Sequence, residues 1–306
     1  MKTGIIKEIN AMQKTAFIAI VGCPNVGKSS ILNRMLGQKI AIVSNKPQTT
    51  RTRIMGVLTK DETQLVFTDT PGFHRPKTKL GEKMIKAVSD SIGGVDACLM
   101  VVEGLSELKD SEKELIEKLR KQKMPTVLAI NKIDLIENKE ELMGRIMELV
   151  QEYNFEAIVP VSAAKNDGIN ELMDELMKLA FPSEHFFPDD TLTDQPERVI
   201  ASEIIREKML RLLDKEIPHG VAVAIEKMRE RTDTDLMDVE ATIFCEKESH
   251  KGIIIGKKGA TLKRISTYAR QDMEKFFDCR INLQCWVKVK EDWRNREGLI
   301  HNFGLD

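Results

Sequence analysis

No stretch of the 306-residue chain approaches the ~18–20 consecutive apolar residues that a membrane-spanning helix needs. A soluble protein is therefore expected, with at most a peripheral contact at the inner face of the cell membrane. No C-x-x-C pair is present. Cys23, Cys98, Cys245, Cys279 and Cys285 are odd in number and scattered, so reduced thiols in a cytoplasmic protein are expected, not a disulfide framework or a cysteine-held metal. The formal net charge is only −1, so the whole-chain balance says nothing about a polyanionic partner. Aromatic residues are few, at 5%, and no internal repeat is visible. Lys2, Lys7, Glu8 and Lys14 precede an apolar run, but that run leads straight into a glycine turn, so a core strand is expected there and not a signal peptide. What remains is an ordinary globular composition, 42% hydrophobic, long enough for about two domains. A monomer is expected.

Residues 17–180 alternate short apolar runs with helical patterns. Expected strands are Phe17–Val21, Ile54–Leu58, Gln64–Phe67, Val95–Val102, Thr126–Ile130 and Ala157–Val161. Runs such as Ala97-Cys98-Leu99-Met100-Val101-Val102 suit strands buried on both faces. Expected helices are Ser30–Leu36, Glu82–Ser91, Ser111–Lys121, Lys139–Glu152 and Ile169–Leu179. Alternating strand and helix predict a doubly wound, mostly parallel α/β sheet over residues 1–182. Residues 183–196 break the rhythm with Phe187-Pro188-Asp189-Asp190 and Gln195-Pro196, and read as a proline-punctuated linker. Residues 197–306 then follow α-β-β-α-α-β: Glu197–Lys215, Val221–Met228, Val239–Cys245, His250–Ile255, Ala260–Phe277 and Arg280–Val289. The first helix should turn Val199, Ile200, Ile204, Ile205, Met209, Leu212 and Leu213 to one face, and Trp286 is expected to serve packing.

Between the first strand and helix lie Gly22, Cys23, Pro24, Asn25, Val26, Gly27, Lys28, Ser29 and Ser30, which fit G-x-x-x-x-G-K-S/T. The glycines permit a tight turn whose N–H groups point at one anion, and the following helix adds the positive end of its dipole. Lys28 would reach the β- and γ-phosphates and Ser29 would hold Mg²⁺. Asp69-Thr70-Pro71-Gly72 follows the third strand: a carboxylate that holds a water on Mg²⁺, and a Gly72 N–H for the γ-phosphate. Asn131-Lys132-Ile133-Asp134 follows the fifth. The Asp134 carboxylate accepts from guanine N1–H and the N2 amino group, where adenine offers neither donor. Ser162-Ala163 follows the sixth, where a backbone N–H meets guanine O6. The order places GTP or GDP at the carboxyl ends of the strands and argues against an ATPase or a metabolic kinase.

These four elements resemble those of translation-factor-related small GTPases. The resemblance makes Pro47-Gln48-Thr49-Thr50-Arg51-Thr52-Arg53 a switch loop whose Thr50, or failing it Thr49, joins Ser29 and a water-linked Asp69 around Mg²⁺. Where Ras-like GTPases carry a water-positioning Gln near D-x-x-G, this chain has Phe73, so intrinsic turnover should be slow. Asn25 matches the position that in some such GTPases holds K⁺; the alternative is a loop cap. His74 is a candidate base or a solvated switch residue. The expected catalytic set is Asn25, Lys28, Thr50 and Gly72.

In the second half, Gly256-Lys257-Lys258-Gly259 joins two helical segments, preceded by Lys251 and Ile253-Ile254-Ile255 and followed by Lys263-Arg264. Glycines admit a nucleic-acid backbone and the lysines meet its phosphates: this is the G-x-x-G clamp of a KH domain (type II by element order), gripping about four nucleotides of single-stranded RNA. From Lys247 to Arg296 there are 13 Lys/Arg against 6 Asp/Glu, a basic end on a near-neutral chain. A GTPase domain, a short linker and a KH domain, with Cys285-Trp286-Val287-Lys288-Val289-Lys290 near the end, resemble the Era family over nearly the whole length. That resemblance implies binding near the 3′ end of small-subunit (16S) rRNA, a role in 30S subunit assembly and maturation, and a GTP-dependent hinge. The alternative is a KH domain that serves another RNA or a protein.

Overall fold

A computed structural model describes residues 13–44, 46, 49–51, 53–73, 78–105, 108–214, 217–232 and 234–305. Within the switch segment Pro47, Gln48 and Thr52 lie outside the described residues, as do His74 and Arg75.

The first domain runs β1 (Lys14–Val21), α1 (Lys28–Leu36), β2 (Ile54–Lys60), β3 (Thr63–Asp69), α2 (Lys79–Gly93), β4 (Ala97–Glu103), α3 (Asp110–Gln122), β5 (Thr126–Asn131), α4 (Lys139–Glu152), β6 (Ala157–Pro160) and α5 (Ile169–Met177). The sheet order is β2-β3-β1-β4-β5-β6. All neighbours on this path are parallel except β2 against β3. Alternation along β1 explains the two layers. Ile18 and Ile20 pack with Ile31, Leu32, Leu172 and Leu176 of α1 and α5. Ala19 and Val21 pack with Val88, Leu115, Leu119 and Leu149 of α2, α3 and α4. Burying each large aliphatic side chain stabilises the fold by about 1.5–3 kcal/mol. This is the expected doubly wound α/β sheet.

The stretch after α5 is held along the sheet. Phe181–Pro182 (β7) pairs antiparallel with the start of β1. The Gln64 side chain accepts from the N–H groups of Phe186 and Phe187 and donates to the Phe187 carbonyl, at 2.9–3.0 Å. Phe186 meets Phe17 edge-on. The Val57 N–H donates to the Leu192 carbonyl and Thr193 Oγ1 to the Met55 carbonyl. Residues 192–193 thereby run along the outer edge of β2.

The second domain follows the expected order: α6 (Glu197–Leu212), β8 (Ala222–Glu230), β9 (Leu236–Cys245), α7 (Glu248–Ile255), α8 (Ala260–Phe277) and β10 (Arg280–Val289). β9 pairs antiparallel with β8 and parallel with β10. Its core joins Ile204, Ile205 and Met209 of α6 to Val239, Ile243, Ile265 and Met273. An element the pattern did not announce, α9 (Glu297–Asn302), closes the chain. Its Ile300 packs with Trp293, Phe244, and Leu80 and Met84 of α2, so the domains share an apolar contact. No described helix is long and apolar enough to cross a membrane.

One expectation is corrected. Trp286 is 44% exposed, whereas Trp293 is fully buried with Nε1 donating to the Gly220 carbonyl at 2.9 Å. Alternation along β10 turns Leu283, Cys285 and Val287 toward the helices and therefore sends Trp286 to the opposite face.

Candidate functional site

The phosphate loop leaves β1 and enters α1, and two of its glycines are required. A Cβ on Gly22 (φ +149°) would stand 2.3 Å from the Val101 carbonyl oxygen, and one on Gly27 (φ +103°) 2.0 Å from Asn131 Nδ2. Asn25 between them is also left-handed, at φ 66°. Lys28 is buried, its ammonium donating to the carbonyls of Gly22 and Cys23 at 3.1 Å each. Burial lowers its pKa, with Asp69 pulling the other way.

Three side chains converge beside it. Ser29 Oγ donates to Asp69 Oδ2 at 2.6 Å and lies 3.0 Å from Thr50 Oγ1, which donates to the same carboxylate oxygen at 3.3 Å. Asp69 Oδ1 is buried without a hydrogen-bond partner. Burial raises the pKa of this carboxyl against the opposing pull of Lys28, Ser29 and Thr50. Thr49 turns away, its hydroxyl donating to the Lys46 carbonyl at 2.7 Å. Of the two neighbouring threonines, Thr50 is the one in the cluster.

At the far end, Asn131 laces two loops together. Its Nδ2 donates to the Val26 carbonyl at 2.8 Å, and its Oδ1 accepts from the Ala163 N–H at 3.1 Å. Ser162 donates to the Asp134 carboxylate, fixing its direction. Lys132 is left-handed and pairs with Glu103. Arg34 of α1 donates to the Ala163 carbonyl at 2.8 Å. Pro24, Asn25, Gly27, Lys28, Ser29, Ser30, Thr50, Gly72, Asn131, Lys132, Asp134 and Ala163 face one open cleft of about 1010 Å³. Gly72 abuts the phosphate loop so closely that a Cβ would stand 2.7 Å from Pro24 Cα. Gly22, Cys23, Val26, Asp69, Thr70, Pro71 and Ser162 stand behind this wall. Cys23 Sγ meets Ser111 Oγ, Val26 enters the core, and Thr70 Oγ1 donates to the Ile20 carbonyl. Phe73 is buried beneath the Lys118 ammonium, 4.5 Å from the ring centroid.

The second glycine turn joins α7 to α8. Gly256, Lys258 and Gly259 all have positive φ, at 73°, 51° and 79°. Lys257, Lys258, Lys263 and Arg264 are exposed, and Lys251 is half-buried. Of the three isoleucines only Ile254 enters the core; Ile253 is 51% exposed and Ile255 half-buried. The turn thus offers an apolar ledge beside a basic rim.

Between the two sites lies a set of residues the sequence pattern did not single out. Arg206, Glu207 and Lys208 of α6 are all buried. Glu207 accepts from Lys39, Lys208, Arg211 and the Val43 N–H. Arg206 donates to the Thr49 carbonyl and to Glu203. Arg51 donates to the carbonyls of Val221 and His219. Burial, with Arg206 nearby, lowers its pKa to about 9. The signal was three successive charges inside an apolar helix, which locally reads as a solvated face; here that face meets the first domain.

Comparison with known proteins agrees with this layout. Residues 17–132 match a family model described as a 50S ribosome-binding GTPase, and residues 216–294 match a KH domain. The chain is 50% identical to GTPase Era of Clostridioides difficile over 295 residues, 96% of this chain and 99% of that one. Two solved structures each superpose with a TM-score of 0.92 at 36% identity, covering 96% of this chain and 99% of theirs. One is a point variant of Aquifex aeolicus Era bound to GDP.AlF4-; the other is Era in complex with MgGDPNP and nucleotides 1506–1542 of 16S ribosomal RNA. With half of its residues identical across nearly the full length of both chains, and with both domain models matched in order, the chain belongs to the GTPase Era family.

Proposed function

We propose that the chain is a GTP-hydrolysing switch that grips single-stranded RNA, takes the 3′ end of 16S rRNA as its target and assists maturation of the 30S subunit. The observation that carries this reading is the cleft in which Ser29, Thr50 and Asp69 meet at one end and an oriented Asp134 stands at the other, in one chain with an exposed G-x-x-G turn. An Era relative of the same layout binds MgGDPNP and 16S rRNA.

The cleft fits a magnesium ion. Its donors are all oxygens, as Mg²⁺ prefers, and Asp69 Oδ1 is a buried acceptor left without a partner. Ser29 and Thr50 would hold the ion directly and Asp69 through water, and the ion would offset charge on the β- and γ-phosphates. In this reading Lys28 would supply the buried cation for the same phosphates, and the Gly72 N–H would sense the γ-phosphate. Asp134, steered by Ser162, reads guanine. Phe73 is buried and apolar, so it orients no water; slow intrinsic turnover follows. In this reading Asn25, which lines the cleft, would hold K⁺ beside the reacting phosphates. The working form in this reading is a cytoplasmic monomer, with any membrane contact peripheral.

The test is nucleotide choice. Asp134→Asn should lower affinity for GDP on the order of 10⁴-fold and create affinity for xanthosine diphosphate, since the amide presents a donor where guanine needs an acceptor. Equal binding of GDP and ADP by the unaltered chain would sink the reading. Turnover measured with Na⁺ replacing K⁺ tests Asn25, and crosslinking of the GTP-bound chain to RNA identifies the target.

A further inference from the structure

The loop that carries Thr50 is anchored by the other domain. Thr50 Oγ1 stands in the cluster with Ser29 and Asp69, yet its two neighbours are tied to residues 203–221, Thr49 through its carbonyl and Arg51 through its side chain. On one side the Thr49 carbonyl accepts from Arg206, which Glu203 braces at 2.6–2.7 Å. On the other, Arg51 donates to the Val221 carbonyl at 2.5 Å and the His219 carbonyl at 2.8 Å, and its guanidinium lies 5.6 Å from the Trp293 ring centroid. Both guanidiniums are buried, at 3% and 2% exposure. Among the described residues Arg51 forms no ion pair; its acceptors are backbone carbonyls. Burying a guanidinium on such terms is costly. The same interface already has an apolar contact, Leu80 and Met84 against Phe244, Trp293 and Ile300. Hydrogen bonds add what apolar packing lacks: they fix the direction of the chain at residues 49 and 51, and with it the place of the hydroxyl between them.

We propose that Arg51 and Arg206 are positioning residues for GTP hydrolysis, through which the RNA-binding domain sets the place of Thr50. The proposal rests on the reading that Thr50 completes the magnesium-holding set. Because that hydroxyl serves the γ-phosphate state, the two arginines govern turnover and GTP binding and not the affinity for GDP. The RNA-holding half is therefore a working part of the hydrolytic site.

The experiment uses the full chain. Single-turnover hydrolysis, GDP affinity and GDPNP affinity are measured across a Mg²⁺ titration for Arg51→Ala, Arg206→Ala, Arg206→Lys, Thr50→Ala and Lys79→Ala. Lys79 also bridges the domains, to Glu297 at 2.9 Å, but from an exposed position on α2. The two alanine variants of arginine should slow hydrolysis roughly 10- to 100-fold, as misplacement of a site group does. They should also raise the Mg²⁺ needed for half-maximal GDPNP binding and leave GDP affinity unchanged. Arg206→Lys, still able to donate to the Thr49 carbonyl, should recover part of the rate, and Lys79→Ala should match the unaltered chain. Arginine variants with unaltered rate and Mg²⁺ dependence, while Thr50→Ala is impaired, would overturn the proposal. So would loss of GDP affinity in step with the rate, which would mark a purely structural role. A Thr50→Ala chain with unaltered rate and Mg²⁺ dependence would instead remove the reading of the metal set, and this proposal with it.

Discussion

The chain carries two glycine-bounded turns, and they are built in opposite ways. The turn at Gly22–Gly27 is enclosed. Both glycines press on other parts of the fold, the Val101 carbonyl and the Asn131 amide, and its lysine is buried. The turn at Gly256–Gly259 lies on the surface. Gly256 packs against Thr261, but a Cβ on Gly259 would meet nothing within 4 Å, and Lys257 and Lys258 are exposed. In the first turn, fold and ligand impose the same constraints, so the motif is part of the core. In the second, the backbone angle and the ligand are almost the only constraints. A folded chain could lose the second function and keep its stability; it could not so easily lose the first.

The largest test of that contrast exchanges glycines. Gly22→Ala should cost about 1–3 kcal/mol of stability, because the added methyl overlaps a carbonyl that cannot retreat, and nucleotide binding should fall with it. Gly259→Asp should cost only the left-handed strain, about 1–2 kcal/mol, while RNA binding is lost and GTP hydrolysis survives. Loss of GTP hydrolysis in Gly259→Asp, or unchanged nucleotide binding in Gly22→Ala, would erase the distinction. Next come the lysines. Lys28→Ala should abolish tight GTP binding without touching RNA affinity. Lys257→Ala with Lys258→Ala should weaken all single-stranded RNAs alike and reduce the slope of log K against log salt by about 1.4. The smallest effect is in acid. Asp69 has a raised pKa from burial, so without nucleotide its contribution is favourable below about pH 3.8 and is lost as the pH rises. Glu207 behaves oppositely: although burial pushes its pKa up, hydrogen bonds from Lys39, the Val43 N–H and Lys208 bring it below the ordinary value. Its contribution is present above about pH 4.5 and is lost as the pH falls further. The fall in melting temperature on acidification below about pH 4.5 should therefore be shallower in Glu207→Gln.

Local patterns made much of this legible. Lys139–Glu152, Ala260–Phe277 and Arg280–Val289 have the bounds that periodicity predicts, and the strands differ by a few residues at their ends. The cleft was legible too, because its motifs sit at strand ends that the α/β alternation brings to one edge. What escaped depends on how the halves meet. Arg51 looks like one more polar residue in a loop, and Arg206 like the wet side of an amphipathic helix. Both are buried only because another domain arrives. The burial of Trp293 escaped for a related reason: it has no periodic context, and the shelter of Gly220, Phe244 and α2 is contributed from distant parts of the chain. Six-residue α9 is too short to show a period at all.

The strip of chain along β2 has a consequence for where the first domain ends. A strand at the rim of a sheet presents unpaired N–H and C=O groups that invite self-association. Here Leu192 and Thr193 occupy part of that rim, and Gln64 fastens the segment at Phe186 and Phe187. Part of the cover on the GTPase half's rim is thus supplied by residues that, by composition, belong to the tether. A cut at residue 182 would bare that part of the rim, whereas a cut at 195 would leave it covered.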